Sequence, residues 1–141
     1  MSQESQVVQI ELNEKIKFLK SHPAFQSLPE PQDITDVAEI LQHQKCTQGY
    51  TFFKQGEEAN ALFVLQSGEA IVNQSGRNLA TLRAGEIFGE MGILSQSPRN
   101  ATVTATTDCY FFVLPAFSIL DLNARNTNVK KFFEDLIKSR S

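Results

Sequence analysis

Apolar residues near the N-terminus recur at steps of three and four positions, which is the spacing of one helical face. The apolar positions of this first predicted helix are Val8, Leu12, Ile16 and Leu19. His22 and Pro23 end the helix, because the residue before a proline disfavours helical backbone angles. Residues 1–6 are polar, and we expect them to be frayed. An amphipathic helix therefore opens the predicted fold.

A second helix is predicted after a connection that contains Pro29 and Pro31, which should keep the connection non-helical. Asp33 can accept a hydrogen bond from the first helical turn and is the expected N-cap. The inner face of this helix consists of Ile34, Val37, Ala38 and Leu41. Residues 1–41 are thus predicted to be a helical N-terminal segment.

Beyond Leu41 the pattern changes to short β-rich runs, and all seven glycines lie between Gly49 and Gly92. The predicted strands are 50–53, 62–66, 69–73, 79–82, 101–106 and 110–114. Ser75 and Gly76 lie at the centre of a polar hairpin loop. Short strands at nearly regular spacing with glycine turns are typical of a β sandwich or a jelly-roll barrel. The predicted fold class is therefore mainly β with flanking helices (α+β), with a barrel over residues 42–115.

Two helices are predicted after the barrel, over 117–122 and from about Thr127 onward, and Pro115 suits the start of the first. The apolar stripe of the last helix is Val129, Phe132, Phe133, Leu136 and Ile137. One interpretation is that this stripe packs on the barrel as core. We interpret residues 1–141 as a single domain with C-terminal helices over 116–141, because a chain of this length can bury a core without disulfides or metal.

The net charge and the composition of the chain argue against several classes of function. A net charge of −3 and a pI near 5.4 argue against nucleic acid or a membrane surface as a partner. Cys46 and Cys109 are too few for a disulfide framework, and we expect both to be buried free thiols. No signal peptide and no membrane-spanning window are recognised, so a cytoplasmic location is expected.

The stretch with the clearest chemistry is residues 88–105, which reads FGEMGILSQSPRNATVTA. A short helix predicted over 90–94, entered through Gly89, would leave N–H groups unpaired for an anion. Arg99 is the only Lys or Arg between Arg83 and Arg125, and its planar fork suits a phosphate. Glu90 would need a neutral partner beside a phosphate, such as a sugar hydroxyl. Phosphate and ribose together imply a nucleotide.

This stretch resembles the phosphate-binding cassette of the cyclic nucleotide-binding domain, the sensor of catabolite activator proteins and protein kinase A regulatory subunits. The resemblance extends over about residues 40–115. It implies that Gly89 and Glu90 hold the ribose 2′-hydroxyl and that Arg99 holds the phosphate. Gly92 would be a backbone donor to the phosphate. The candidate binding residues are Gly89, Glu90, Met91, Gly92, Arg99, Asn100 and Ala101.

The resemblance also implies how binding would be transmitted. The last helix would be a hinged lid over the base or the seam of a homodimer, and the expected base contacts are Val72, Phe132 and Phe133. In the family a threonine after the arginine favours guanine, whereas alanine is common in adenine-preferring members. Asn100 matches neither, and we favour cAMP over cGMP. An effector domain or protein is a further expected partner.

Two alternatives remain at this point. A cupin-like metalloenzyme would need several histidine and carboxylate ligands converging inside the barrel, but the chain has only His22 and His43. We therefore expect neither catalysis nor a metal cofactor. A ligand-free interaction module of the same fold is the second alternative, in which Glu90 and Arg99 would form an ion pair on a loop. The sequence is compatible with a stand-alone sensor or with the regulatory part of a longer polypeptide.

Overall fold

A computed structural model describes residues 4–139 of the chain. It contains nine strands and four α-helices in this range, with a 3₁₀ turn at Phe25–Ser27. The strands are β1 Gln6–Val7, β2 Gln42–Cys46, β3 Thr51–Phe53, β4 Ala61–Ser67, β5 Ala70–Gln74, β6 Arg77–Leu82, β7 Ile87–Phe88, β8 Thr102–Ala105 and β9 Cys109–Pro115. The helices are α1 Leu12–Ser21, α2 Pro31–Ile40, α3 Ala116–Arg125 and α4 Thr127–Ser139.

The strands form two antiparallel sheets, which confirms the predicted fold class. One sheet has the order β1-β2-β9-β4-β7, and the other has the order β3-β8-β5-β6. In β4 and β9, five consecutive or nearly consecutive apolar residues are buried, because both faces of the five-stranded sheet are covered there. This is why these two strands read as continuous apolar runs instead of alternating with polar residues.

Two apolar cores share the five-stranded sheet. Phe63 and Phe111 point into the space between the sheets, where they join Phe52, Phe88 and Val103. The residues next to them in the chain, such as Val64 and Phe112, belong to a second core that the four helices cover. The alternation of side chains along each strand therefore divides the sheet between a sandwich core and a helical core.

The N-terminal segment differs from the prediction. The first helix begins at Leu12 and not near Val8, because the backbone before it pairs with β2. The N–H of Val8 donates to the carbonyl oxygen of His43 over 2.8 Å. Of residues 1–6, which were predicted to be frayed, Gln6 belongs to the strand Gln6–Val7, while residues 1–3 lie outside the described residues. Pairing along a sheet edge has overridden a helical apolar spacing.

The start of the second helix is also a correction. Pro31 is its first residue, and Glu30, not Asp33, occupies the N-cap. A proline in the first turn loses no helical hydrogen bond, since that N–H would have no partner within the helix. Asp33 lies in the first turn, and its carboxylate accepts a hydrogen bond from the N–H of Glu30 over 3.0 Å. Asp33 therefore belongs to the start of the helix, as its third residue and not as the predicted N-cap.

Backbone conformation accounts for the hairpin and for the cassette. Ser75 and Gly76, predicted at the centre of a polar hairpin loop, form a tight two-residue turn between β5 and β6, and both have positive φ, at 50° and 87°. The helix predicted over 90–94 is absent: residues 91–95 form turns, with one bond from the N–H of Ile93 to the oxygen of Glu90. The φ of Gly92 is +89°, which a right-handed helix does not admit.

The C-terminal helices form as predicted, and their apolar stripe packs into the helical core. Val129 and Phe133 are fully buried, and the ring of Phe132 lies 5.1 Å from that of Phe25. Phe117, on the outer side of α3, is 82% exposed. Between residues 4 and 139, no helix is both long and apolar enough to cross a membrane.

Candidate functional site

A cavity of about 210 Å³ opens where the cassette meets the four-stranded sheet. Its lining includes every residue predicted to contact a ligand within the cassette except Gly92, and it includes Val72. A larger cavity of about 420 Å³ lies beside β1, β2 and β9, where Lys45 is accompanied by Glu4 and Asp108. That cavity has more acidic than basic groups, so the smaller one is the better anion site.

The cassette brings its backbone close to other parts of the protein at two glycines. Gly89 has φ of +78°, and a Cβ there would lie 3.0 Å from the Phe53 ring and 3.2 Å from the Arg99 guanidinium. At Gly92, a Cβ would overlap the carbonyl oxygen of Ser97. Both positions therefore require glycine, because of their positive φ and because of their close neighbours.

Arg99 is held by its backbone and by its side chain. Its N–H donates to the oxygen of Glu57, and its own carbonyl oxygen accepts from the N–H of Gly56, each over 2.7 Å. The guanidinium donates from Nη1 to the carbonyl oxygen of Gly89 and from Nη2 to that of Ala61 over 2.6 Å. Among the described residues, Nε has no hydrogen-bond partner. The loop before β4 thus sets the position of the arginine.

The charge of Arg99 is largely removed from water, since the residue is only 4% exposed. Burial lowers the pKa of Arg99, while the nearby carboxylates of Glu90 and Glu57 act in the opposite direction. Arginine still remains protonated at neutral pH, because its ordinary pKa is so high. The cavity wall therefore carries a permanent, partly desolvated cation.

Glu90 lies in the same cavity wall and is 8% exposed. A carboxylate accepts hydrogen bonds and donates none, whereas the guanidinium of Arg99 donates and does not accept. The site thus offers complementary partners for a ligand that carries both an anion and neutral hydroxyl groups. No group of three or more His, Cys, Asp or Glu that could hold a metal is found in the described part of the chain.

The structure does not bring all of the predicted site residues together. Phe132 and Phe133 lie in the helical core and are absent from the cavity lining, so the predicted base contacts are not made in this conformation. Conversely, Phe53 lines the cavity although the sequence did not point to it, and so does Phe88, the first residue of the cassette, which was not among the predicted contacts. No sequence motif around Phe53 indicates a role in the site, because Arg99, which it contacts, is distant in the chain.

Residues 43–126 match the family model described as "Cyclic nucleotide-binding domain". The chain belongs to this family. The match covers the barrel, the cassette and α3, and thus the whole cavity described above. It also agrees with the resemblance noted in the sequence. Members of the cyclic nucleotide-binding family are regulatory domains.

The relatives and solved structures are consistent with that membership. The chain is 34% identical over 93 residues to a cAMP-dependent protein kinase regulatory subunit of Colletotrichum orbiculare, which covers 64% of this chain and 24% of the relative. It is 37% identical over 93 residues to a cGMP-dependent protein kinase of Toxoplasma gondii, covering 65% and 9% respectively. The chain thus spans no more than about a quarter of these two relatives.

A catabolite activator protein of known structure, from Thermus thermophilus, is similar to the chain over most of its length. It superimposes with a TM-score of 0.72 and 30% identity, covering 84% of this chain and 57% of that protein. The two sheets and the flanking helices of the chain therefore have the architecture of a cyclic nucleotide-binding domain.

Proposed function

We propose that this domain binds a purine 3′,5′-cyclic monophosphate in the cavity lined by Glu90 and Arg99. The observation that carries the proposal is the Arg99 guanidinium, which is buried in the wall of a cavity while its Nε has no partner among the described residues. Two of its five N–H donors bond to carbonyl oxygens, so the described part of the chain does not use all of the donors of the guanidinium. A singly charged cyclic phosphate supplies acceptors that match this fork.

The other polar groups of the cavity then have complementary roles. Glu90 would accept a hydrogen bond from the ribose 2′-hydroxyl, with the backbone of Gly89 beside it. Backbone N–H groups near Gly92 and Ala101 would donate to the phosphate. Glycine at 89 and 92 allows the cassette backbone to adopt this shape, because both residues have positive φ and a Cβ at Gly92 would overlap the oxygen of Ser97.

The proposed ligand is cAMP in preference to cGMP. Asn100 stands where a threonine favours guanine in the family, and Val72 offers an apolar surface to the base. Met91 is 43% exposed at the cavity and could cover the ligand from outside. A competition between cAMP and cGMP at equal concentration tests this preference, and preferential retention of cGMP would reverse it.

Transmission of the signal would involve the C-terminal helices. The cavity, at about 210 Å³, is smaller than the range of about 300–1,000 Å³ typical of ligand cavities. A nucleotide would therefore be only partly enclosed, and a moving α4 could bring Phe132 or Phe133 to the base. We infer that an effector protein or a second copy of the chain, in the cytoplasm, responds to this movement.

The decisive experiment is calorimetric titration of cAMP and cGMP into the protein and into Arg99→Ala. Loss of a charge-assisted contact to phosphate should weaken binding by about a hundredfold or more. Arg83→Ala is the matched control, because Arg83 is exposed and pairs only with Glu69 over 3.6 Å among the recorded ion pairs of residues 4–139. Equal affinity of Arg99→Ala and the parent would contradict the site assignment.

A further inference from the structure

Phe53 lies at the end of β3, where the strand contains a bulge. The pairing of β3 with β8 shifts register between Thr51 and Phe53. In a regular strand, consecutive side chains point to opposite faces, but a bulge changes the direction of the residues beside it. Phe52 and Phe53 accordingly both pack against Phe63, with ring centroids 5.7 and 5.8 Å away. The bulge therefore turns Phe53 toward the interior of the sandwich.

In this orientation the ring of Phe53 lies under the guanidinium of Arg99. The Cζ atom of Arg99 is 4.0 Å from the ring centroid, well within the distance of about 6 Å for a cation–π contact. The carbonyl oxygens of Gly89 and Ala61 accept hydrogen bonds from the two amino groups of the same guanidinium. The two carbonyl oxygens therefore fix the guanidinium within its own plane, and the ring of Phe53 packs against one of its faces.

We propose that Phe53 is a positioning residue for Arg99 and that its cation–π contact raises the affinity of the domain for the cyclic phosphate. This inference rests on the proposed function. The negative face of the ring compensates the buried charge and does not use any of the N–H donors. Arg99 is thus held in one position before the ligand arrives, and the contact with Phe53 occupies none of its remaining N–H donors. The Arg99 side chain therefore loses less conformational entropy when the ligand binds.

Ordinary apolar packing is the competing explanation for Phe53. The ring also lies 6.4 Å from that of Phe88, so its loss would disturb the aromatic cluster in any case. Phe52 provides a matched control, because it packs against the same two rings, Phe63 and Phe88, while Arg99 makes its cation–π contact with Phe53. A charge-dependent role should distinguish the two neighbouring phenylalanines.

The test replaces the phenylalanine at position 53 by its mono-, di- and trifluorinated forms, one at a time. Fluorine withdraws electrons from the ring face and weakens the attraction for a cation while changing the shape little. The dissociation constant for cAMP, or for cGMP if that is the ligand bound, should rise stepwise with each fluorine. The full series should span about two- to thirtyfold.

The same series at position 52 should leave the affinity unchanged. A flat response at position 53, or equal losses at the two positions, would overturn the proposal. The melting temperature of each protein is measured in parallel, so that an affinity loss is compared only between variants that are folded to the same extent.

A second measurement does not depend on the nucleotide. A proton above an aromatic face is shifted upfield in an NMR spectrum, so Phe53→Leu should move the Arg99 Nε–H resonance downfield, whereas Phe52→Leu should not. If the resonance does not move, the stacking is wrong, whatever the domain binds. If it moves but the parent binds neither cAMP nor cGMP, the proposed function has failed, and with it the claim about affinity.

Discussion

Cys46 and Cys109 are register partners on the neighbouring strands β2 and β9, and both are buried. Burial raises the pKa of Cys46 to about 12, with a smaller effect from the neighbouring Cys109. Burial also raises the pKa of Cys109. Since the thiolate is the reactive form, both side chains should be inert in the folded protein.

Neither cysteine should react with an aromatic disulfide reagent at about pH 8 while the protein is folded, and both should react in denaturant. Absorbance of the released thiol measures the reaction. In the control Arg77→Cys, the new thiol lies on an exposed position of β6 and should react within the mixing time. Rapid reaction of two thiols in the native parent would contradict the expected burial and pKa.

His43 is another buried polar residue, at 6% exposed. Its Nε2 lies 2.6 Å from the amide oxygen of Gln66, so that nitrogen donates, and its ring stacks on Phe112 at 4.6 Å. Burial lowers the pKa of His43, Lys15 acts in the same direction, and the Gln66 hydrogen bond opposes them. The folded protein therefore favours the neutral imidazole.

The sign of the resulting pH dependence follows from linkage. In the unfolded chain, His43 takes up a proton near pH 6.5, whereas the folded protein takes it up only at lower pH. The free energy of unfolding should thus decline as the pH falls from about 6.5 toward the lowered pKa. Chemical denaturation across this range measures it. The decline should be smaller in His43→Gln and should persist in His22→Gln.

At the scale of elements, the connection between α3 and α4 is hydrogen-bonded to α2. The carboxylate of Asp33, which is 3% exposed, accepts hydrogen bonds from the side-chain amides of Asn126 at 2.9 Å and Asn128 at 3.1 Å. The Asn126 amide also donates to Asp36, and its oxygen accepts from the N–H of Val129 in the first turn of α4. The same asparagine therefore caps α4 and hydrogen-bonds it to α2.

Asp33→Ala should lower the free energy of unfolding by about 2–3 kcal/mol, because it removes the charge-assisted hydrogen bonds that the buried carboxylate accepts from Asn126, Asn128 and the N–H of Glu30. Urea denaturation measures this change, and amide exchange in α4 should become faster. Asp135→Ala is the control: Asp135 forms an exposed pair with Lys131, whose loss should cost less than about 1 kcal/mol. Equal effects of the two substitutions would contradict a stabilising role of the hydrogen bonds between Asp33 and the start of α4.

The elements that could be predicted from sequence are those with a strong local pattern. The strands β4 and β9 and the helix α4 have dense apolar residues, and the hairpin turn has Ser75 and Gly76. Strand β2 reads QHQKC and was not predicted, because it is a strand only through its pairing with β9. Two-residue strands such as β7 carry too little sequence for any period.

The candidate site likewise contains residues that the sequence predicts and one that only the fold brings there. Gly89, Gly92 and Arg99 lie within one short segment, so their chemistry could be interpreted together. The helix expected between them was wrong, since it depended on Gly92 adopting a helical φ. Phe53 reaches the site only through a bulge and through long-range pairing, which no local pattern specifies.

At the scale of the whole molecule, the two cores are coupled through the sheet they share. The helical core also reaches the cavity side at His22, whose Nε2 lies 2.6 Å from the carbonyl oxygen of Gly85, between β6 and β7. Leu82 and Ile87, on either side of that turn, line the cavity. The end of α1 therefore contacts the turn beside the proposed nucleotide site, and the residues that line the cavity come from strands and loops.

Saturation with the cyclic nucleotide should change hydrogen exchange in α3 and α4, because a ligand that favours one arrangement of the helices shifts their population. Mass spectrometry of exchanged peptides over 116–139 measures this. Arg99→Ala, at the same nucleotide concentration, should show the exchange pattern of the free protein. Unchanged helices in a saturated parent would refute transmission through them and leave binding intact.

The outward-facing ring of Phe117 on α3 makes an optical version of that experiment possible. The chain contains no tryptophan, so Phe117→Trp would introduce a single fluorophore at a position where the wild-type ring is already 82% exposed. Substitution there removes little buried contact and should preserve the fold. The wavelength of maximum tryptophan emission would depend on the polarity around α3. Stopped-flow mixing with the nucleotide would then measure the rate at which the helix moves.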